Sequence, residues 1–322
     1  MRAVIITRHG GPEVLSIENL DTPDPRPGHV LVRLEAAGLN FHDVVERQSG
    51  YPGQGDPPMQ TGQEGCGTIV DVGPDVEDLE PGSLVMWASG GSSHADFVEV
   101  AADQAIPVPS WMRAADAAAI CSQGLTAHYL ATSITDMQPD STALVWAAAG
   151  GVGRLLTQML TTRGVRVLAA VSSEAKQAVA LEAGAERAVL NDEVADTAKE
   201  MTGGAGVDAV FDGVGAPTFD VSLSSVRRRG LLVVYGRAGG QVPPIEIGRL
   251  SAAGSVMLIR PRFADFNASR EELLGRAAEV LEWLRTGKVS TRVDATFRLD
   301  EIADAHRLLE SRQVVGKVLI QP

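Results

Sequence analysis

Cysteine is almost absent from this 322-residue chain, which carries only Cys66 and Cys121. Two thiols exclude a disulfide framework and any four-cysteine zinc site. A reducing cytoplasm is therefore the expected setting. No run of 18 apolar residues occurs, so no segment is long enough to cross a bilayer as a helix. The start, MRAVIITRHGGPEVL, has an apolar core of only a few residues and no small-residue cleavage site. It reads as a first strand and not as a signal peptide. Basic residues are outnumbered, 28 Lys and Arg against 41 Asp and Glu, giving a net charge of −13. Such a chain is repelled on average by nucleic acid and by anionic membranes, so neither is expected as a partner. The one basic run, Arg227, Arg228 and Arg229, is expected at the surface beside a strand. Internal repeats and low-complexity segments are also lacking.

Glycine, by contrast, is plentiful at 34 residues, and its placement organises the chain. Up to about residue 120 the sequence consists of short β-branched runs: MRAVIIT, HVLVRLEAAGL, CGTIVDVG, SLVMW and ADFVEV. Gly, Pro and Asp clusters separate them, as in a compact β domain. From Ala114 the texture changes. RAADAAAI and GLTAHYLATSI look helical, and strand-like runs then alternate with helical ones: TALVWA, VRVLAAV, DAVFD and GLLVVYG. That alternation implies βαβ units and a parallel sheet. Toward the end, REELLGRAAEVLEWLRTG reads as a helix closed by Gly287. The tail reads as a helix, a glycine turn and a last strand that returns to the N-terminal domain.

The most informative stretch is WAAAGGVGRLL, at 146–156. A strand runs into Ala148-Ala149-Gly150-Gly151-Val152-Gly153. The apolar residues Val152, Leu155, Leu156, Met159 and Leu160 then mark one face of a helix. A glycine turn of this kind is either a tight corner or a cradle for a pyrophosphate. The strand before it, the amphipathic helix after it and the βαβ units that follow favour the cradle. In that reading Ala148 takes the first glycine slot, Gly150 lets backbone approach the pyrophosphate, and Gly153 lets helix and strand pack closely. The first turn, Gly151 and Val152 included, offers free N–H groups. NAD sites place a carboxylate at the end of the second strand. Here Val171, Ser172 and Ser173 occupy that place and Lys176 follows one turn later. Two hydroxyls and an ammonium suit the 2′-phosphate of NADPH, although Lys176 also reads as a solvated helix residue beside Glu174.

With both halves read, the chain resembles the medium-chain dehydrogenase/reductase superfamily. Within it, the chain is similar to the zinc-independent quinone oxidoreductases, the zeta-crystallin-like family. The stretches that carry the resemblance are HGGPEVL (9–15), AAGLNFHDV (36–44), GYP (50–52), GQEGCGTIVDVG (62–73), GLTAHY (124–129) and AAAGGVG (147–153). FDGVG (211–215), RRRGLLVVYG (227–236), Arg260-Pro261 and GKVLI (316–320) complete the set. The resemblance implies an α/β protein: a GroES-like β-rich catalytic domain at 1–122 and 260–322, with a Rossmann doubly wound parallel-sheet domain inserted at 123–259. It also implies a cleft where nicotinamide meets substrate, and a homodimer paired through the last strand of the nucleotide-binding sheet, here GSVMLIR.

Zinc dehydrogenases of this superfamily carry Cys and His where this chain has Asn40 and Gln63, which are poor zinc ligands. His42, His94, Cys66 and Glu64 would have to regroup to replace them, so no metal is expected. Hydride addition to a quinone or a conjugated alkene leaves a delocalised anion, for which positioning and a few donors suffice. The resemblance points to Asn40 as a hydrogen-bond partner of a substrate carbonyl or the nicotinamide ribose. Asp43 reads as a ribose ligand, as a clamp on Arg47, or as a plain helix cap. Tyr51 falls where enoyl reductases place a proton donor, and also reads as a packed turn aromatic. Val45 replaces a Tyr often found in the family and leaves that position apolar. Thr126, Gly236, Arg260 and Lys317 are implied around the cofactor, and Asp192, if turned inward, opposes a 2′-phosphate. The expected activity is NADPH-dependent, zinc-free reduction of quinones or α,β-unsaturated carbonyls. Enoyl-thioester reduction and a non-catalytic NADPH-binding or RNA-binding role are the alternatives.

Overall fold

A computed structural model describes residues 1–51, 55–90 and 92–322. Pro52 of the GYP stretch, with the next two residues of that loop, lies outside the described residues. The chain divides into two compact units. One comprises Met1–Gln123, Ser269–Ala277 and Thr291–Pro322; the other comprises Gly124–Ala268 and Ala278–Ser290.

The first unit is built around one long strand, His29–Leu39. It pairs antiparallel with Glu64–Val72 and Phe97–Ala101. It also pairs antiparallel with the last strand, Lys317–Gln321, through Val318↔Leu39 and Ile320↔Ala37. Val30, Val32 and Leu34 face the core while Arg33 and Glu35 face water, the alternation of a sheet with one wet side. Beyond Glu35 the strand is buried on both faces through Leu39. Leu84–Trp87 and Ile106–Pro107 extend the sheet on one side and Val293–Arg298 on the other. A smaller antiparallel sheet joins Leu15–Asn19, Arg2–Ile6 and Met59–Gln60. Val4, Leu39, Trp87, Val98, Ile302 and Ile320 meet in one apolar core.

The second unit contains a six-stranded, all-parallel sheet in the order Arg187–Leu190, Arg166–Val171, Thr142–Trp146, Val207–Asp212, Val226–Val234, Met257–Ile259. Its central strand, Thr142–Trp146, is buried at every position, as a sheet covered on both faces requires. Chain order runs outward from that strand to one side and then restarts on the other. The reversal lies between Thr142–Trp146 and Val207–Asp212, the place where open α/β sheets bind ligands. The helix Gly151–Thr162 buries Leu155, Leu156, Met159 and Leu160 as its spacing predicts.

The two runs RAADAAAI and GLTAHYLATSI form a single helix, Ala114–Thr132. The sequence reading ends the inserted unit at residue 259, whereas residues 260–268 and 278–290 pack with it. Phe266 stacks on Tyr129 with centroids 4.8 Å apart, His128 meets Glu279 at 2.9 Å, and Arg154 donates to the Ser290 hydroxyl at 3.0 Å. Arg227, Arg228 and Arg229 lie within the strand Val226–Val234, where Arg229 takes a positive φ of 57°. Among the described residues, no helix is long and apolar enough to cross a membrane.

Candidate active site

In the Rossmann unit all strands run parallel, so Trp146, Val171, Leu190, Asp212, Val234 and Ile259 end on one edge of the sheet. The glycine turn, Ser172, Ser173, Gly236 and Arg260 follow those ends directly. The left-handed residue of the turn is Ala147, at φ 52°, and not one of its glycines. Gly150 has an extended backbone, φ −79° and ψ 174°, that any residue can adopt. Its lack of a side chain serves space. A Cβ there would meet only Ala147 O, at 3.2 Å, and otherwise project into open volume. Gly153 is different. A Cβ there would press on backbone, 2.9 Å from both the Ala147 carbonyl carbon and Ala148 Cα. The first helical bond runs from Arg154 N–H to Gly150 O at 2.8 Å. The N–H groups of Gly151, Val152 and Gly153 precede it and have no intrahelical acceptor. The turn thus combines open volume at Gly150 with helix-start N–H donors, and the first turn carries no acidic side chain. That geometry fits a pyrophosphate.

At the end of the second strand, Ser172, Ser173 and Lys176 are in or next to solvent. Lys176 Nζ lies 3.2 Å from Ser172 Oγ, and Ser173 is the residue before the helix Glu174–Glu182 without spending its hydroxyl on the cap. Asn191 and Asp192 are exposed. Sequence reasoning missed Asp212, which is fully buried. It accepts from Val214 N–H (2.8 Å), Gly215 N–H (2.9 Å), Thr218 Oγ1 (2.8 Å) and Ser222 Oγ (2.8 Å), and so fixes the FDGVG loop. Gly236 donates to Asp212 O at 3.2 Å. A Cβ on it would lie 2.8 Å from Gly213 Cα, so two loops meet backbone to backbone there. Arg260 donates to Val234 O at 2.9 Å, and Thr126 is half-buried in its helix.

In the first unit the expected residues are brought together more tightly than the sequence suggests. Asn40 precedes the helix Phe41–Ser49. Its side-chain N–H donates to Glu64 Oε1 at 2.6 Å. Its carbonyl accepts from Lys317 Nζ at 2.8 Å and from Gln123 at 3.3 Å. Lys317 also bonds Glu64 directly, and both are buried. The second Glu64 oxygen accepts from Ser122 N–H at 2.8 Å. Lys317, expected to face the cofactor, is thus engaged inside this unit, because its ammonium can be buried only against a carboxylate.

Of the three readings of Asp43, the structure shows the helix-cap arrangement. Asp43 is fully buried and closes the start of its own helix, accepting the Asn40 N–H at 2.7 Å. Burial pushes its pKa up to about 8, against the pull of that N–H. The clamp expected on Arg47 comes instead from Gly10 O, at 2.6 Å, and Glu310, at 2.8 Å. Tyr51 stacks on His42, with ring centroids 4.2 Å apart and 11° between planes.

Two family models match the chain, and the bounds of each cross from one compact unit into the other. The alcohol dehydrogenase GroES-like domain matches residues 26–135, and the zinc-binding dehydrogenase domain matches residues 183–320. A quinone oxidoreductase of Salmonella typhimurium is 33% identical over 320 residues, covering 98% of each chain. The chain belongs to the quinone oxidoreductase family of the medium-chain dehydrogenase/reductases. A 2-haloacrylate reductase from Burkholderia sp is 31% identical, covering 99% of this chain and 98% of its own. The Escherichia coli quinone oxidoreductase, solved with NADPH, superposes with a TM-score of 0.97 at 32% identity over the full length of both chains.

The zinc in the name of the matched domain does not fit these residues. Asn40 and Gln63 are weak donors, and Asn40 is already held by Glu64 and Lys317. Cys66 and Cys121 are both buried, free thiols. Among the described residues no three His, Cys, Asp or Glu side chains are grouped to hold a metal.

Proposed function

We propose that this quinone oxidoreductase family member is a zinc-independent reductase that uses NADPH to reduce quinones and activated, conjugated alkenes. The observation that carries the reading is the turn at 147–153: a helix start with no acidic side chain, where only the absence of a Cβ at Gly150 keeps the approach open. The N–H groups of Gly151, Val152 and Gly153 would hold the pyrophosphate. Ser172, Ser173 and Lys176 would hold the 2′-phosphate, since no carboxylate stands at the end of the second strand. Thr126, Gly236 and Arg260 complete the cofactor surroundings in this reading. When bound, NADPH supplies a hydride.

Asn40 offers its remaining amide N–H to the oxygen on which negative charge develops, and Tyr51 stands as the candidate proton source when an alkene is reduced. Asp43, sealed under the Asn40 N–H, shapes this helix start and does not touch substrate. Kinship with a 2-haloacrylate reductase supports small activated alkenes alongside quinones. It favours them over acyl thioesters, which need a basic rim, and Arg260 already donates to Val234 O. A homodimer formed through the edge strand Met257–Ile259 belongs to the same reading. That edge leaves Met257 57% exposed, an apolar edge of the kind proteins cover. Two buried free thiols suit a cytoplasmic setting. NADPH oxidation with p-benzoquinone and with 2-chloroacrylate tests the activity. Failure with both, while NADPH still binds, would leave a non-catalytic role.

A further inference from the structure

The buried pair of Glu64 and Lys317 has no part in the reading above, yet it sits against the one amide that reading uses. Both side chains reach the same point because of Gly38. In the sheet, Gly38 pairs with Glu64 on one side and with Leu319 on the other. Its backbone is not left-handed, so a side chain is excluded by space. A Cβ there would lie 2.5 Å from Lys317 Cε and 2.7 Å from Glu64 Cδ. Over that gap the carboxylate and the ammonium meet, and Asn40 bridges them. Its N–H is given to Glu64 and its carbonyl receives Lys317 and Gln123. The two contacts have opposite polarity, so a flipped amide would face ammonium with N–H and carboxylate with oxygen. Both contacts would become repulsive.

We propose that Glu64 and Lys317 are positioning residues that lock the Asn40 amide in one orientation, so that it meets the substrate carbonyl oxygen only as a hydrogen-bond donor. This rests on Asn40 serving the reaction proposed above. It assigns to Lys317 a task inside its own unit in place of cofactor contact. The pair is costly to bury and would be matched in stability by apolar residues of similar volume. Its use lies in fixing a neutral amide whose two ends differ little in size.

The test combines kinetics with a spectroscopic readout. Asn40→Ala is expected to lower kcat/KM for p-benzoquinone about 100-fold, the usual loss for one donor to a developing oxyanion. Lys317→Met is expected to lower it about 10-fold or more, mostly in kcat, with the NADPH dissociation constant moving less than about threefold. The combined Asn40→Ala/Lys317→Met variant should be no worse than Asn40→Ala alone, because the lysine acts through the asparagine. Multiplied losses, or a large rise in the NADPH constant for Lys317→Met, would overturn the proposal. Lys317→Met can leave Glu64 unpaired and fail to fold. Glu64→Gln/Lys317→Met, which buries no charge, then replaces it with the same expectations.

The second readout needs no turnover. The Asn40 side-chain NH2 group, assigned by its disappearance in Asn40→Ala, should give two proton signals, kept distinct by slow rotation about the C–N bond, with the one bonded to Glu64 displaced downfield in the unmodified protein. In the lysine variant, where the amide can turn about Cβ–Cγ, that displacement should shrink or the signal broaden, and Lys317→Arg should restore it. Signals unchanged by loss of Lys317 would sink the inference. Absence of quinone turnover in the unmodified protein would sink the proposed function and leave this orientation test standing.

Discussion

Two glycines three positions apart should fail in different ways when given a methyl group. At Gly150 the backbone is open to alanine, and the new Cβ would meet one atom, Ala147 O, at 3.2 Å. Slight crowding there is offset by the lower entropy of the unfolded chain, about 0.4–1 kcal/mol. Folding stability should therefore stay within about 1 kcal/mol of the original. The methyl would, however, occupy the volume through which a pyrophosphate approaches the N–H groups of the first turn. Loss of one charge-assisted hydrogen bond is worth about 1.5–3 kcal/mol, so NADPH affinity should fall about 10- to 100-fold. At Gly153 the Cβ would lie 2.9 Å from backbone atoms of both Ala147 and Ala148. Overpacking of that kind costs about 1–3 kcal/mol of stability. Calorimetric NADPH titration and thermal unfolding of Gly150→Ala and Gly153→Ala separate the two effects. A folded Gly150→Ala protein that binds NADPH as tightly as the original would refute the placement of the pyrophosphate.

Three further outcomes follow from the same structure. Lys176→Ala should weaken NADPH binding and leave NADH binding unchanged in parallel titrations; equal losses for both would remove the 2′-phosphate from Ser172 and Lys176. Acid should destabilise the first unit through His94, which burial holds neutral by lowering its pKa to about 4, with His306 shifted the same way. The unfolded chain takes up this proton near pH 6.5, so the contribution is intact above that pH and is lost as pH falls toward 4. The loss amounts to about 2 kcal/mol between about pH 7 and pH 5. Asp43 acts with the opposite sign, holding its proton in the native state up to about pH 8. The readout is therefore urea unfolding of His94→Leu against the unmodified protein, and the variant should lose less stability over that same acid range. Tyr51→Phe should slow reduction of 2-chloroacrylate about tenfold or more while leaving p-benzoquinone reduction within about twofold. Equal slowing of both would make Tyr51 a packing residue against His42.

Much of this was legible in the sequence, for physical reasons that also mark where legibility ends. The parallel strands are short, largely buried and separated by amphipathic helices, so hydrophobic period alone reveals Thr142–Trp146 and the helix after it. Leu15–Asn19 was not legible as a strand: its residues are half-buried or exposed, and its pairing with Arg2–Ile6 is what holds it. The turn at 147–153 showed its glycines, but not that the left-handed residue would be Ala147. The anchoring of Asn40 was beyond reach, because Glu64 and Lys317 are 253 residues apart and only the sheet brings them over Gly38. Asp212 was hidden for a related reason: its role lies in hydrogen bonds to the loop that follows it, which apolar patterning does not register.

The proposed function is hydride transfer from NADPH that needs no metal. The most direct test is steady-state oxidation of NADPH by p-benzoquinone after exhaustive chelation, with the metal content of the same sample measured. Turnover that chelation does not diminish, in protein without stoichiometric zinc, is the expected result. Turnover that vanishes on chelation and returns with added zinc would contradict it.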